Sequence, residues 1–279
     1  MIKFKKLQKD DFNTVKEYLL LDKTRSCEKV AATLMMWRDF YKIEWAIYEN
    51  TLIIRYLDAL GGKTAYLTPI GENVEAVVKK LGRVTYSGVC KEDLEKIIDK
   101  DSEVIPNRNN FDYIYSAEAL RVFSGKKLHS KKNFLNRFKK TYNYEFTLSP
   151  KKDELVEFFK MIDKKYPHYD ETGVAELNET IDMIENSELF GVHIGAITVE
   201  GKIVAATVGT KIDDTLYVHI EKADREYIGS YQAIVSEFVS AFDDIEYVNR
   251  EDDLGDDGLR QSKLSYNPLY LIEKYIINK

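Results

Sequence analysis

Residues 192–238 read VHIGAITVEGKIVAATVGTKIDDTLYVHIEKADREYIGSYQAIVSEF. Three strand-forming runs stand out: Val192–Val199, Lys202–Lys211 and Leu216–Lys222. Glu200-Gly201 separates the first pair and Asp213-Asp214 the second, so short turns join neighbouring strands into an antiparallel meander. After Gly229 the pattern becomes that of a helix reaching about Phe242. A strand at Glu246–Asn249 and a helix from about Asp257 to Ser265 follow. Upstream, helices are expected over about Lys152–Tyr166 and Leu177–Ser187.

The first half has the same order. A helix follows Asp10 or Asp11, with Phe12, Val15, Tyr18 and Leu19 at helical spacing. A second is expected over Glu28–Tyr41. Strands at Glu44–Tyr48, Thr51–Leu57 and Thr64–Thr68 come next, the first two joined at Glu49-Asn50. Pro69-Ile70-Gly71 leads into a helix over Glu72–Leu81, then a strand, Val84–Val89, and a helix, Lys91–Lys100. Each half therefore reads helix, helix, three antiparallel strands, helix, strand, helix. No residue-level repeat accompanies this, so the duplication rests on element order. The expected division is 1–110, a basic bridging segment 111–148, and 149–279.

The length of 279 residues suits two domains at roughly 100–200 residues each. A composition 44% hydrophobic and 32% charged excludes a disordered chain. The longest apolar runs, such as Tyr18–Leu21 and Thr33–Trp37, fall far short of the roughly 20 residues of a membrane span. The opening MIKFKKLQKDDF lacks the apolar stretch of a signal peptide. A cytoplasmic location is expected. Cys27 and Cys90 lie far apart and form no zinc spacing, so both are read as buried or half-buried free thiols. Charge is uneven: residues 1–150 carry 27 basic against 20 acidic side chains, and residues 151–279 carry 14 against 27.

Three places carry chemistry. Arg121–Lys140 holds eight basic residues and no acidic one. Lys131, Lys132, Asn133 and Arg137 are its candidate ligands for tRNA or another phosphate-bearing partner, because lysine and arginine displace counterions from a polyanion. Interleaved Phe134 and Phe138 could stack on bases. A solvated basic helix explains the same run. The second place is Asn249–Arg260, where Asn249, Arg250, Glu251 and Asp252 follow a strand, with Arg260 and Lys263 in the next helix. Carboxylates can hold an ammonium and take its proton, and arginine can neutralise a carboxylate or phosphate. A solvated turn is the plainer reading, and the calcium-hand spacing is absent. The third is His219 on a strand, either a satisfied core residue or a general base. No metal ligand set emerges.

Two runs, YIYSAEALRVFSGKKLHSKKNFLNRF (113–138) and YVNREDDLGDDGLRQSKLSYNP (247–268), resemble the C-terminal aminoacyltransferase domain of phosphatidylglycerol lysyltransferases and its soluble relatives. With the duplicated order, the resemblance covers nearly the whole chain. It implies an α+β fold of two tandem GNAT-like (acyl-CoA N-acyltransferase) domains, each a mixed, mostly antiparallel sheet flanked by helices. The first would be degenerate and the second active. The implied activity moves an aminoacyl or acyl group onto an amine or hydroxyl of a small-molecule substrate. Aminoacyl-tRNA or acyl-CoA would be the donor, and no cofactor is certain.

In GNAT proteins a helix N-terminus after the fourth strand holds a pyrophosphate. The corresponding segment here runs from Asp224 to Ala233, with Arg225 and Gly229 as candidate ligands. Gly229 comes one place late and Tyr231 replaces a small residue, which weakens an acetyl-CoA reading. Glu251, Asp252 and His219 are the catalytic candidates. An acetyl-CoA-dependent N-acetyltransferase and a non-catalytic tRNA or small-ligand binding module remain alternatives.

Overall fold

A computed structural model describes residues 2–59, 61–167 and 171–279. The chain divides into two compact units. One comprises residues up to Asp112 together with Asp252–Asp256 and Leu271–Lys279; the other comprises Tyr113–Glu251 and Asp257–Tyr270.

The first unit is built on strands β1 (Lys5–Lys6), β2 (Ile43–Tyr48), β3 (Thr51–Ala59), β4 (Lys63–Tyr66), β5 (Ile70–Gly71), β6 (Thr85–Cys90) and β7 (Glu103–Pro106). The β2–β3 hairpin turns at Glu49 and Asn50, both at positive φ, as a tight primed turn requires. β4 pairs with β6 in parallel. The strand Lys274–Asn278 then enters this sheet from the far end of the chain and pairs antiparallel with both β6 and β7. Its Ile277 is buried in one core cluster with Ile53, Tyr66, Val77, Tyr86 and Ile97. The helix expected over Glu28–Tyr41 is shorter: a 3-10 turn at Cys27–Lys29 precedes a helix at Ala31–Trp37. Val30 between them is extended, and the Cys27 amide donates to the Asp112 carboxylate at 2.8 Å.

The second unit contains β8 (Asp112–Ser116), β9 (Tyr144–Thr147), β10 (His193–Val199), β11 (Lys202–Ile212), β12 (Thr215–Ala223), β13 (Tyr247–Asn249) and β14 (Tyr270–Ile272). Their order is β14-β8-β13-β12-β11-β10-β9. The segment expected to bridge the halves thus supplies two strands, β8 and β9. It also supplies the helices Ala117–Val122 and His129–Thr141.

The meander expected from residues 192–222 forms as β10–β11–β12. The helix Ser230–Ser240 packs on it because two glycines open space for Phe238. A Cβ at Gly195 would lie 2.7 Å from that ring, and one at Gly209 would lie 3.0 Å from it. At Gly209 the ladder slips: Val208 faces Ile220 but Gly209 faces Val218. The extra residue on β12 is His219, so simple alternation does not carry through it. Next to β12, β13 runs parallel and pairs at three positions, ending at Tyr217 and Asn249. Among the described residues, no helix is long and apolar enough to cross a membrane.

Gly229 caps the helix Ser230–Ser240 at φ +92, and a Cβ there would lie 2.3 Å from the Phe134 carbonyl oxygen. Gly201 sits at φ +76 with open space around it. Gly201→Ala should cost about 1–2 kcal/mol, the left-handed penalty alone. Gly229→Ala should lose about 1–3 kcal/mol more through overpacking against backbone. Urea unfolding of both variants checks this; equal losses would contradict the packing argument.

Candidate functional site

Where the β12–β13 ladder stops, side chains take over. Glu251 has φ +56, a conformation uncommon outside glycine. The Asn249 side-chain oxygen holds it there by accepting from the Glu251 amide at 2.7 Å. Asn249 is itself fully buried. The turn aims the Glu251 carboxylate at His219, with Nδ1 and Oε1 2.8 Å apart. On the other side of the ring, His219 Nε2 lies 2.8 Å from Thr210 Oγ1. An ionised carboxylate only accepts, so Nδ1 carries a proton, and in the neutral ring Nε2 presents its lone pair. The Thr210 hydroxyl then donates to Nε2. The result is a carboxylate–imidazole–hydroxyl chain whose imidazole is wholly buried.

One residue earlier, Arg250 makes a second rung. Its Nη2 donates to Glu221 Oε1 at 2.7 Å. Its guanidinium lies 4.5 Å from the ring centre of Tyr266 and 5.7 Å from that of Tyr115. Lys263 Nζ donates to the Arg250 carbonyl at 2.6 Å, and Tyr115 donates to the Lys263 carbonyl at 2.8 Å. Gln232 fixes the Tyr266 hydroxyl at 2.9 Å. Arg250 Nη1 is buried without a hydrogen-bond partner. Burial opposes the charge on Arg250, yet Glu221 beside it holds its pKa above the ordinary arginine value. Burial pushes the Glu221 carboxyl up, and Arg250 and Lys263 partly offset that.

The family model for the C-terminal region of phosphatidylglycerol lysyltransferase matches residues 21–278. The chain belongs to this family. It is similar over its full length to a conserved protein of unknown function from Bacteroides thetaiotaomicron, at 33% identity and a TM-score of 0.91, covering 99% of that chain. It shares its fold with L-PGS from Bacillus licheniformis at 15% identity and a TM-score of 0.66, covering 96% of this chain and 91% of that one. An uncharacterised protein of Mycoplasmoides gallisepticum is 24% identical over 192 residues, which is 66% of this chain and 61% of that protein. This chain therefore spans about three-fifths of that relative's length. Two GNAT-like sheets and membership of the lysyltransferase family fit a transferase of aminoacyl or acyl groups.

Within this lysyltransferase-family fold the expected site residues separate. His219 and Glu251 meet, and so do Arg250 and Lys263. Lys131 joins them from the helix His129–Thr141, its ammonium 4.2 Å from the Tyr266 ring centre. Lys132, Asn133 and Arg137 on the same helix are exposed. Arg225 is exposed, with its guanidinium 4.7 Å from the Tyr166 ring centre. Gly229 abuts the Phe134 carbonyl. Arg260 is half-buried on the helix Asp257–Ser265. His193 stacks edge-on against Phe242, and His168 lies outside the described residues. Thr210, Glu221, Tyr115, Tyr266 and Gln232 join the site without having been singled out. Lys131 did carry a signal: Leu128, Leu135 and Phe138 are buried at helical spacing, and Lys131 interrupts their stripe.

Asp252 belongs to the first unit, where charge is also buried. Lys274 is fully buried there. Its Nζ donates to Asp112 Oδ1 at 2.6 Å and to the Glu28 carboxylate, and lies 3.5 Å from Cys27 Sγ. Cys27, Glu28 and Asp252 offer three potential ligand atoms within 4.8 Å of one another. The chain's own ammonium already supplies a positive charge to that group. Burial works against this charge, but Asp112, Cys27 and Glu28 raise the Lys274 pKa well above the ordinary lysine value. The ammonium therefore stays charged across neutral pH, and its contribution is lost as pH rises through that elevated pKa. Lys274→Met should cost about 3–5 kcal/mol, because it strands buried carboxylates. Lys42→Met removes an exposed pair with Asp58 and should cost at most about 1 kcal/mol. Thermal and urea unfolding measure both; similar losses would contradict the buried-charge account.

Proposed function

We propose that the chain transfers an aminoacyl or acyl group to an amine or hydroxyl, with Thr210, His219 and Glu251 as its proton-handling centre. One observation carries this reading: a hydroxyl, an imidazole and a carboxylate hydrogen-bonded in sequence where two parallel strands part. Such a chain can take a proton from a nucleophile and return it to a leaving group.

As the acceptor attacks the acyl carbon, its proton passes to the Thr210 oxygen while the Thr210 proton moves to His219 Nε2. Glu251 stabilises the imidazolium that forms. When the carbon–oxygen bond to the donor breaks, the same protons return in reverse order to the leaving oxygen. Arg250 and Lys263 meet negative charge on the bound donor or acceptor. The exposed Lys132, Asn133 and Arg137 extend a basic helix face on which the phosphates of an aminoacyl-tRNA would lie. Arg260 and Arg225 are assigned to outer parts of the substrate, and Asn249 to holding Glu251. Asp252 is assigned to the first unit's charge cluster. The closeness of the Phe134 carbonyl to Gly229, at the start of the helix Ser230–Ser240, favours an aminoacyl-tRNA over an acyl-CoA donor.

The test uses bulk tRNA charged with labelled amino acids, incubated with the purified chain and a panel of soluble amines or phosphatidylglycerol vesicles. Transfer of label should fall about 10²–10⁴-fold in His219→Gln and Glu251→Gln. Thr210→Val should fall similarly, while Thr210→Ser keeps most of the rate. Wild-type rates in His219→Gln, or turnover of acyl-CoA alone, would overturn the assignment.

A further inference from the structure

We propose that Arg250 Nη1 and Lys131 together bind a phosphate group of the substrate, held against the Tyr266 ring in the second unit. The proposal deepens the transferase reading and rests on its assignment of the second unit as the substrate-binding half.

Three observations converge on it. Arg250 Nη1 is a buried donor with no partner, although the same guanidinium donates to Glu221 through Nη2 and also meets the Tyr266 hydroxyl. A buried polar group left unpaired is costly and points to a ligand atom at that place. Lys131 comes from a different element, yet its ammonium lies over the same Tyr266 ring as the Arg250 guanidinium. Two cations lie against one ring, and burial together with the charge of Arg250 holds the Lys131 pKa below the ordinary lysine value. A third cation, Lys263, donates to the Arg250 carbonyl.

The surrounding elements do not cancel this charge. β12 contributes Glu221, which faces Arg250, and His219, which faces Glu251. β8 contributes Tyr115. The helix Ser230–Ser240 contributes the neutral Gln232, and the helix Asp257–Ser265 adds the half-buried Arg260. Arg250, Lys131, Lys263 and Arg260 against Glu221 and Glu251 leave an excess of two positive charges, close to the charge of about −1.5 to −2 on a phosphate monoester at neutral pH. A carboxylate brings only one. The planar guanidinium offers a directed N–H and Lys131 a mobile point charge, the two donor types that phosphate oxygens accept. The sequence expected Lys131 and Arg250 in two separate motifs; the fold sets them on one ring.

Isothermal titration in a phosphate-free buffer at low ionic strength tests the site without requiring turnover. The probes are inorganic phosphate, AMP and sn-glycerol 3-phosphate, with sodium acetate as the carboxylate comparison. Wild type should bind inorganic phosphate at least tenfold more tightly than acetate. Tighter binding of AMP assigns the phosphate to a nucleotide end, and of sn-glycerol 3-phosphate to a glycerol headgroup; either supports the site. Lys131→Met should weaken phosphate at least tenfold, and Lys202→Met, at an exposed position, should not. Arg250→Lys keeps a cation beside Glu221 but loses the fork and should also weaken binding. Should that variant unfold, the Lys131 result still decides. In ¹³C NMR of labelled lysine, saturating phosphate should raise the Lys131 titration midpoint. No phosphate binding, equal affinity in Lys131→Met, or acetate bound as tightly as phosphate would overturn the proposal. Phosphate binding with no transfer activity would leave this site standing and sink the transferase reading alone.

Discussion

The second unit depends on how β12 and β13 are held once their backbone ladder has ended. Parallel strands that part expose amide and carbonyl groups and a gap between side chains. Here two side-chain rungs, the ion pair of Arg250 with Glu221 and the hydrogen bond of His219 with Glu251, span that gap. Neither is free of cost, because desolvating charges opposes the attraction between them. A gap filled with aliphatic side chains would be at least as stable. Charged rungs leave the opening polar and supplied with groups that can move protons, which suits a site better than a core. The left-handed turn at Glu251 and the bulge at His219 belong to the same arrangement: each departs from regular geometry to bring one side chain to the other.

Much of the fold was legible because it is local. The meander over 192–222 was marked by turn residues at two-residue spacing, and the helix Asp257–Ser265 by its flanking glycines and aspartates. What could not be read was non-local. Nothing in residues 274–278 says that they pair with a strand near residue 90. The basic run was read as a connector because its charge pattern dominates, yet Leu128, Leu135 and Phe138 anchor it to the second unit. In the site, His219, Arg250, Glu251 and Lys263 were recognisable as chemistry-bearing residues beside strand ends. Thr210 was not, since a threonine in a strand is ordinary and only a register slip brings it opposite the imidazole. Tyr266 was hidden for a similar reason: tyrosines are abundant in this chain, and its role comes from two cations arriving from different elements.

Both units bury full charges, but to different ends. In the first, Lys274 is enclosed by acids and a thiol, and no donor is left over. In the second, Arg250 keeps one donor unanswered. That contrast is one ground for the proposal that the second unit is the working one, and counts of charge along the sequence do not supply it, since by that measure the second half is the acidic one.

The returning strand Lys274–Asn278 also sets a timetable for biogenesis. During synthesis the second unit can assemble as soon as its helix Asp257–Ser265 and the segment up to Tyr270 have left the ribosome. The first unit's sheet, although most of it is translated earlier, lacks the strand between β6 and β7 until residues 274–278 emerge. Its two unpaired edges stay open until then, a period in which strand edges recruit wrong partners. The half made earliest is thus the one finished last, and exposure to chaperones should centre on it.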